Sequence, residues 1–276
     1  MENSLKNKIV VVTGGANGIG YEIANKYLEQ EARLAIIIDK DEEQGINAMQ
    51  TFTKTYGEGK AEFIKCDVTT DLDRVSKIII EKYEAIDVLV LSAGLPNAIE
   101  LKASIDVFVT AVIEWALKFQ EHMRKDNGGK GGTFLIISSI FGFRTIPFAP
   151  IYQASKFAVL GFTKSLGHEY NYDKTGVRVL AICPGFTKTN ITLPFIDPDL
   201  KKRYPNQDLI TFTDAHAWQN VDVVGEAAVE VFKRAQSGTV WVIEGGKLTE
   251  LLQNLPSWVL QSLLDTWLTF KGLASE

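Results

Sequence analysis

The 276-residue chain has only two cysteines, Cys66 and Cys183, far apart and each beside apolar neighbours. That count excludes a disulfide framework and any CxxC metal site, and both thiols read as small buried hydrophobes. Histidine is as scarce: His122, His168 and His216 share no ligand spacing, so no metal is expected. Basic charge is not in excess either. Lys plus Arg total 29 against 34 Asp plus Glu, for a net charge of −5, and no electrostatic footprint for nucleic acid results. No run approaches the roughly 20 apolar residues needed to span a bilayer. The segment Met1–Lys6 has no apolar signal core, and position 2 is not the glycine of a myristoyl site. Low-complexity tracts and internal repeats are missing too. These absences lead us to expect a cytoplasmic protein with no nucleic-acid partner and no membrane span.

Hydrophobic residues make up 46% and charged residues 23%, an ordinary globular balance that excludes disorder and coiled coil. Short β-branched runs recur: 9–12, 34–38, 61–66, 88–91, 134–137, 177–182 and 239–243. Most are continuously apolar, which suits strands covered on both faces of a parallel sheet. Longer amphipathic stretches lie between them, at about 18–30, 42–56, 71–84, 101–125, 151–172 and 222–236. The alternation predicts an α/β fold: a single-domain, doubly wound Rossmann fold with a parallel sheet of about seven strands flanked by helices. Asn127–Gly132 reads as a glycine turn, not a linker. Residues 187–221 carry three prolines and little periodicity, the mark of a long functional excursion. We expect one domain over 1–250 that includes this substrate loop, followed by an apolar C-terminal arm over 251–276. The arm, with Trp258 and Trp267, would pack on the domain or on a neighbouring subunit. A membrane-surface role is weaker, because Lys271 is its one basic residue.

Thr13-Gly14-Gly15-Ala16-Asn17-Gly18-Ile19-Gly20 follows the first strand and opens the first helix. Glycines there let the backbone turn tightly and approach a pyrophosphate seated on helix N–H groups. Asp39 ends the second strand, where a carboxylate can accept from ribose hydroxyls and repel a 2′-phosphate, favouring NAD. Lys40 beside it is either a solvated lysine or a base for that phosphate. Tyr152 and Lys156 stand at i, i+4 on one helical face, and Ser139 closes the strand upstream. The trio suits oxidation of an alcohol. A phenol near pKa 10 must fall by about three units, about 4 kcal/mol, to take a hydroxyl proton at neutral pH. One ammonium about 4 Å away supplies about that much at an effective dielectric near 20. The serine hydroxyl then holds the substrate oxygen.

With Cys66-Asp67-Val68, Ala93-Gly94, Tyr152-Gln153-Ala154-Ser155-Lys156 and Pro184-Gly185-Phe186-Thr187-Lys188-Thr189, these motifs run in one order over about residues 6–190. In that order the chain resembles the short-chain dehydrogenase/reductases. Asn127–Gly132, Gly161–Ser165 and Gly238–Trp241 resemble the branch holding the hydroxyprostaglandin and insect alcohol dehydrogenases. The resemblance implies Ser139, Tyr152 and Lys156 as the catalytic residues. It implies an NAD site made by Gly14, Asn17, Gly18, Ile19, Gly20, Asp39, Lys40, Asp67, Val68, Ser92, Ala93, Gly94, Tyr152, Lys156, Pro184, Gly185, Thr187 and Thr189. It also implies a homodimer or homotetramer.

Four positions depart from the family. Leu91-Ser92-Ala93-Gly94 stands where Asn-Asn-Ala-Gly is usual, Ile136 replaces a polar residue, and Phe108 takes the register of the catalytic-tetrad asparagine. A phenylalanine cannot hydrogen-bond to a relay water. Ser139, Ile140, Phe141, Phe186 and Phe108, with Ile146, are candidates for a substrate wall, though each could be an ordinary core residue. The expected function is NAD-dependent interconversion of a small-molecule secondary or allylic alcohol, lipid-like or terpenoid, with its carbonyl. The alternative is a cofactor-binding homologue with weak or no turnover; an isomerase or cyclase using the dinucleotide structurally ranks behind both.

Overall fold

A computed structural model describes residues 3–96 and 100–251 of the chain. Beyond Leu251, the expected C-terminal arm lies outside the described residues. The order begins β1 Ile9–Thr13, α1 Gly18–Glu29, β2 Leu34–Asp39, α2 Glu42–Tyr56, β3 Ala61–Lys65, α3 Leu72–Lys82 and β4 Val88–Leu91. It continues with α4 Leu101–Ile105, a π turn Asp106–Thr110, α5 Ala111–Met123, β5 Gly132–Ile137, α6 Pro150–Leu166, α7 Glu169–Thr175 and β6 Val177–Pro184. The last elements are α8 Pro198–Arg203, α9 Gln207–Asp214, α10 Val221–Arg234, β7 Val240–Glu244 and β8 Lys247–Glu250.

One eight-stranded sheet runs β3-β2-β1-β4-β5-β6-β7-β8, parallel except for the final β7–β8 pair. Strand alternation divides the core in two. Val10, Val12, Ile37 and Leu135 meet Ile23, Tyr27, Phe52 and Phe232 of α1, α2 and α10. Val11, Ile36, Leu89 and Phe134 meet Val75, Ile79, Trp115, Phe119 and Val159 of α3, α5 and α6. Both faces are covered, which is why the central strands need no polar alternation. The connection reverses direction across β1, which pairs with β2 on one side and β4 on the other. A crevice opens there beyond the carboxyl ends of the strands, the usual ligand position in such sheets.

The structure redraws some expected elements. The helix expected over 101–125 is interrupted by the π turn, and that over 151–172 splits at Gly167 into α6 and α7. The expected excursion over 187–221 is helical for much of its length. Its α8 and α9 start at the caps Asp197 and Asn206, whose side chains accept from Leu200 N at 2.9 Å and Leu209 N at 3.0 Å. An eighth, antiparallel strand was not expected. Gly245 and Gly246, with φ +55° and +74°, turn β7 back into β8.

Candidate active site

A cavity of about 800 Å³ opens at the crevice. At one end lies the glycine loop. Gly14 has φ +65°, and a Cβ there would lie 2.7 Å from Ala93 Cα, so the loop is pressed against the end of β4. A Cβ on Gly20 would meet Gly14 O at 2.3 Å, so helix α1 also touches the loop backbone. Asn17 caps α1 by accepting from Gly18 N at 2.7 Å. Asp39 accepts from Ala16 N at 3.2 Å and from Asp41 N at 3.1 Å, which fixes its carboxylate at the cavity rim. The cradle fits a dinucleotide: backbone space that no side chain could share, a helix N-terminus, and a carboxylate at the end of β2.

Ser139, Tyr152 and Lys156 meet at the centre. Ser139 lies two residues past β5 in extended backbone, and its Oγ accepts from Phe141 N at 3.2 Å, starting a short 3-10 turn. Pro150 opens α6, and its first turns carry Tyr152 and Lys156 into the cavity. Ser138 Oγ donates to Lys156 O at 3.1 Å and ties the two elements together. Gly142 is required at this junction, since a Cβ would lie 2.8 Å from Ser138 Oγ and 3.0 Å from Lys156 O.

Lys156 is only 7% exposed, and its Nζ donates to Ile137 O at 2.9 Å. Burial brings its pKa down to about 8. Burial also raises the Tyr152 phenol, with the Ser139 side chain pulling it back down. The arithmetic drawn from sequence weighed the ammonium and left this burial out. Desolvation acts on both groups, pushing each towards its neutral form. Cys183 lies nearby on β6, its buried thiol pushed up to about 12.

Phe108 projects from the π turn into this centre. Its ring meets Tyr152 edge to face, with centroids 5.4 Å apart at 85°, and Lys156 Nζ lies 4.8 Å from its centroid. Of the other departures, Ser92 lines the cavity and two lie elsewhere. Leu91 and Ile136 are buried in the layer under α3, α5 and α6 and do not line the cavity.

Beyond the trio the wall is aromatic. Phe141 and Phe186 stack edge to face at 5.7 Å, and Trp218 approaches Phe186 at 5.2 Å. Phe212 backs Phe141, Phe148 and Phe186. Ile140, Ile146, Phe148, Ile191, Phe195 and Leu209 complete the apolar lining, and no charged side chain lines this half among the described residues. Of these, Phe148, Ile191, Phe195, Leu209, Phe212 and Trp218 were not singled out in the sequence; for all but Phe148, an excursion so rich in large apolar side chains was the available signal. Its two feet are clasped by Gln219. Gln219 Nε2 donates to Thr187 Oγ1 at 3.1 Å and to Ile243 O at 2.9 Å, and its Oε1 accepts from Gly246 N at 3.2 Å.

The cavity gathers Gly14, Asn17, Gly18, Ile19, Gly20, Asp39, Lys40, Ser92, Ala93, Gly94, Pro184, Gly185, Thr187 and Thr189 with the trio. Asp67 and Val68 are not part of its lining. Asp67 Oδ1 accepts from Thr69 N and Oγ1, and Val68 O accepts from Trp115 Nε1 at 2.9 Å. Among the described residues no cluster of His, Cys, Asp and Glu could hold a metal, and no helix is long and apolar enough to cross a membrane.

Residues 8–198 match the family model described as short chain dehydrogenase. The chain is 33% identical to 15-hydroxyprostaglandin dehydrogenase [NAD(+)] of Rattus norvegicus over 189 residues, 68% of this chain and 71% of that one. It is 28% identical to alcohol dehydrogenase 1 of Ceratitis cosyra over 257 residues, 90% of this chain and 96% of the other. Among solved structures, L-sorbose reductase from Gluconobacter frateurii, complexed with NADPH and L-sorbose, superposes with a TM-score of 0.75 at 22% identity. That match covers 92% of this chain and 100% of the other.

Proposed function

This chain belongs to the short-chain dehydrogenase family of oxidoreductases, and from that premise we propose that it is an NAD-dependent alcohol dehydrogenase. Its substrate is a secondary or allylic alcohol of lipid-like or terpenoid character, interconverted with the carbonyl. The observation that carries the reading is the convergence of Ser139, Tyr152 and Lys156 between a dinucleotide cradle and an apolar cavity half. Gly14, Asn17, Gly18, Ile19 and Gly20 would hold the pyrophosphate, Asp39 the adenosine ribose, and Thr187 and Thr189 the nicotinamide half. When bound, the nicotinamide supplies the hydride acceptor.

The remaining work falls to side chains. Ser139 Oγ holds the substrate oxygen. Tyr152 takes the hydroxyl proton, and Lys156 stabilises the phenolate that results. The aromatic wall excludes water and favours bulky apolar substrates over short hydrophilic ones. Support for NAD comes from Asp39, whose carboxylate is fixed at the rim and would repel a 2′-phosphate. The rat relative's name specifies NAD(+), whereas the sorbose reductase structure holds NADPH, so cofactor choice here rests on Asp39 and Lys40. A homodimer or homotetramer is supported by exposed Leu117 on α5 and Phe157 on α6, and the absence of a membrane-spanning helix among the described residues is compatible with a cytoplasmic location.

The test is Tyr152→Phe against a panel of short alcohols, terpenols and hydroxylated fatty acids. Oxidation should fall at least a hundredfold, with NADH affinity within a few-fold of the parent. Turnover above about a hundredth of the parent would remove Tyr152 as the base. A parent protein that binds NADH but oxidises nothing on the panel would instead favour the cofactor-binding reading.

A further inference from the structure

Lys156 is a buried cation with no anion beside it. Its titratable neighbours are Tyr152, on its own helix, and the Cys183 thiol on β6. On the other packed elements, ionisable groups turn outward: Asp106 of the π turn pairs with Lys102, and Glu114 of α5 is exposed. An ammonium has three N–H donors, and one is taken by Ile137 O. What else faces it is aromatic. The Phe108 centroid lies 4.8 Å away and the Tyr152 centroid 5.6 Å away, both within cation–π range.

Phe108 is itself held firmly. It is 4% exposed, its ring packs edge to face with Tyr152, and a Cβ on Gly94 would lie 3.4 Å from it. It sits in a π turn, where one extra residue per turn re-aims the side chains of α4 and α5. We propose that Phe108 is a positioning residue, whose π face seats the Lys156 ammonium and keeps it charged beside Tyr152. An aromatic quadrupole thus does here what a hydrogen-bonding side chain would otherwise do.

Two consequences follow. Desolvation favours a neutral lysine, and the ring opposes it without adding a second titratable group. The ring also carries no exchangeable proton, so Lys156 exchanges protons with solvent through the cavity and not through the π turn. The seat is a feature of the folded protein. Its catalytic meaning rests on the function proposed above.

The experiment replaces Phe108 with 4-fluoro-, 3,5-difluoro- and 3,4,5-trifluorophenylalanine, which empty the π face stepwise at nearly constant shape. Lys156 is followed by NMR of ¹³Cε-labelled lysine, assigned with Lys156→Arg. The titration midpoint of Lys156 should fall with each fluorine, by about one unit in total for the trifluoro variant. Phe108→Leu should lower it at least as far, and Phe108→Tyr should restore it. A midpoint that stays flat or rises across the series overturns the proposal. In turnover, the acid limb of the pH–kcat profile should follow the same order while KM for NAD stays constant. A sloped titration with no turnover in the parent or in any variant would uphold the seat and refute the function proposed above.

Discussion

Gly20 is the sharpest place to perturb the cradle. In Gly20→Ala the new methyl would lie 2.3 Å from Gly14 O and 3.0 Å from Gly14 C. Both are backbone atoms and cannot swing aside, so ordinary contact needs a relative shift of about 1 Å between α1 and the loop. The loop has nowhere to go. Gly14 N is bonded to Ile38 O at 2.8 Å, and Gly14 already abuts Ala93. Overpacking of this kind costs about 1–3 kcal/mol, and in a chain of this size each kcal/mol lowers Tm by about 2–4 °C. The protein should stay folded, since whole-domain stabilities run to about 5–15 kcal/mol. The displaced N–H groups should weaken NADH binding tenfold or more. Gly161→Ala is the matched control, because nothing lies within 4 Å of its Cβ in the exposed middle of α6. That change should raise stability by about 0.5–1 kcal/mol and leave binding alone. Differential scanning calorimetry and fluorescence titration with NADH read both effects. Parent-like melting and parent-like affinity in Gly20→Ala would show that the loop is not a rigid cradle.

Asp39→Ala should weaken NAD and relieve repulsion of NADP, so the ratio of their kcat/KM values should fall; a parent that already prefers NADP would transfer the role to Lys40. Burial takes Lys156 from the usual 10.5 to about 8, so below pH 8 the folded protein carries a buried charge that the unfolded chain keeps in water. Stability without cofactor should therefore rise between pH 8 and 10.5, by at most about 3 kcal/mol. By the same reasoning Lys156→Met should melt higher than the parent at pH 7 while losing turnover, and an unchanged or lower Tm would contradict the buried-cation account. Gln219→Leu leaves Gly246 N without its partner and Ile243 O with Gly185 N alone, a loss of about 1–3 kcal/mol. Limited proteolysis should then cut within 187–219 faster, with KM for bulky alcohols raised; a parent-like digestion pattern would argue against the clasp.

The buried strands were legible because β-branched runs such as Ile9–Val12 and Leu34–Ile38 have no polar face to confuse their period. The trio was legible because i, i+4 spacing in a helix fixes a shared face whatever surrounds it. Elsewhere the local pattern carried less. β8 has four residues, partly exposed at the sheet edge, and Gly245-Gly246 was its one signal. Helices α8 and α9 are only six and eight residues long, too short to show an apolar period between the prolines at 194, 198 and 205. The π turn leaves no mark in Asp106–Thr110, since a one-residue register change depends on what the helix packs against. Ionisation at the site was the least legible. Spacing showed that a lysine lies near a phenol, but desolvation depends on the closed cavity wall.

The segment roofing the cavity leaves and rejoins the domain at a single point. Thr187 and Gln219 form a parallel bridge, Lys188 N donates to Gln219 O, and Gln219 N donates to Phe186 O. A segment with joined ends has already met its closure cost at that point, and doubling its length adds only about 0.6 kcal/mol. Residues 190–218 can therefore be lengthened, shortened or exchanged between relatives while the sheet and the reacting centre stay as they are. The reacting trio and this part of the cavity wall are thus carried on separate stretches of chain, with Gln219 at the seam.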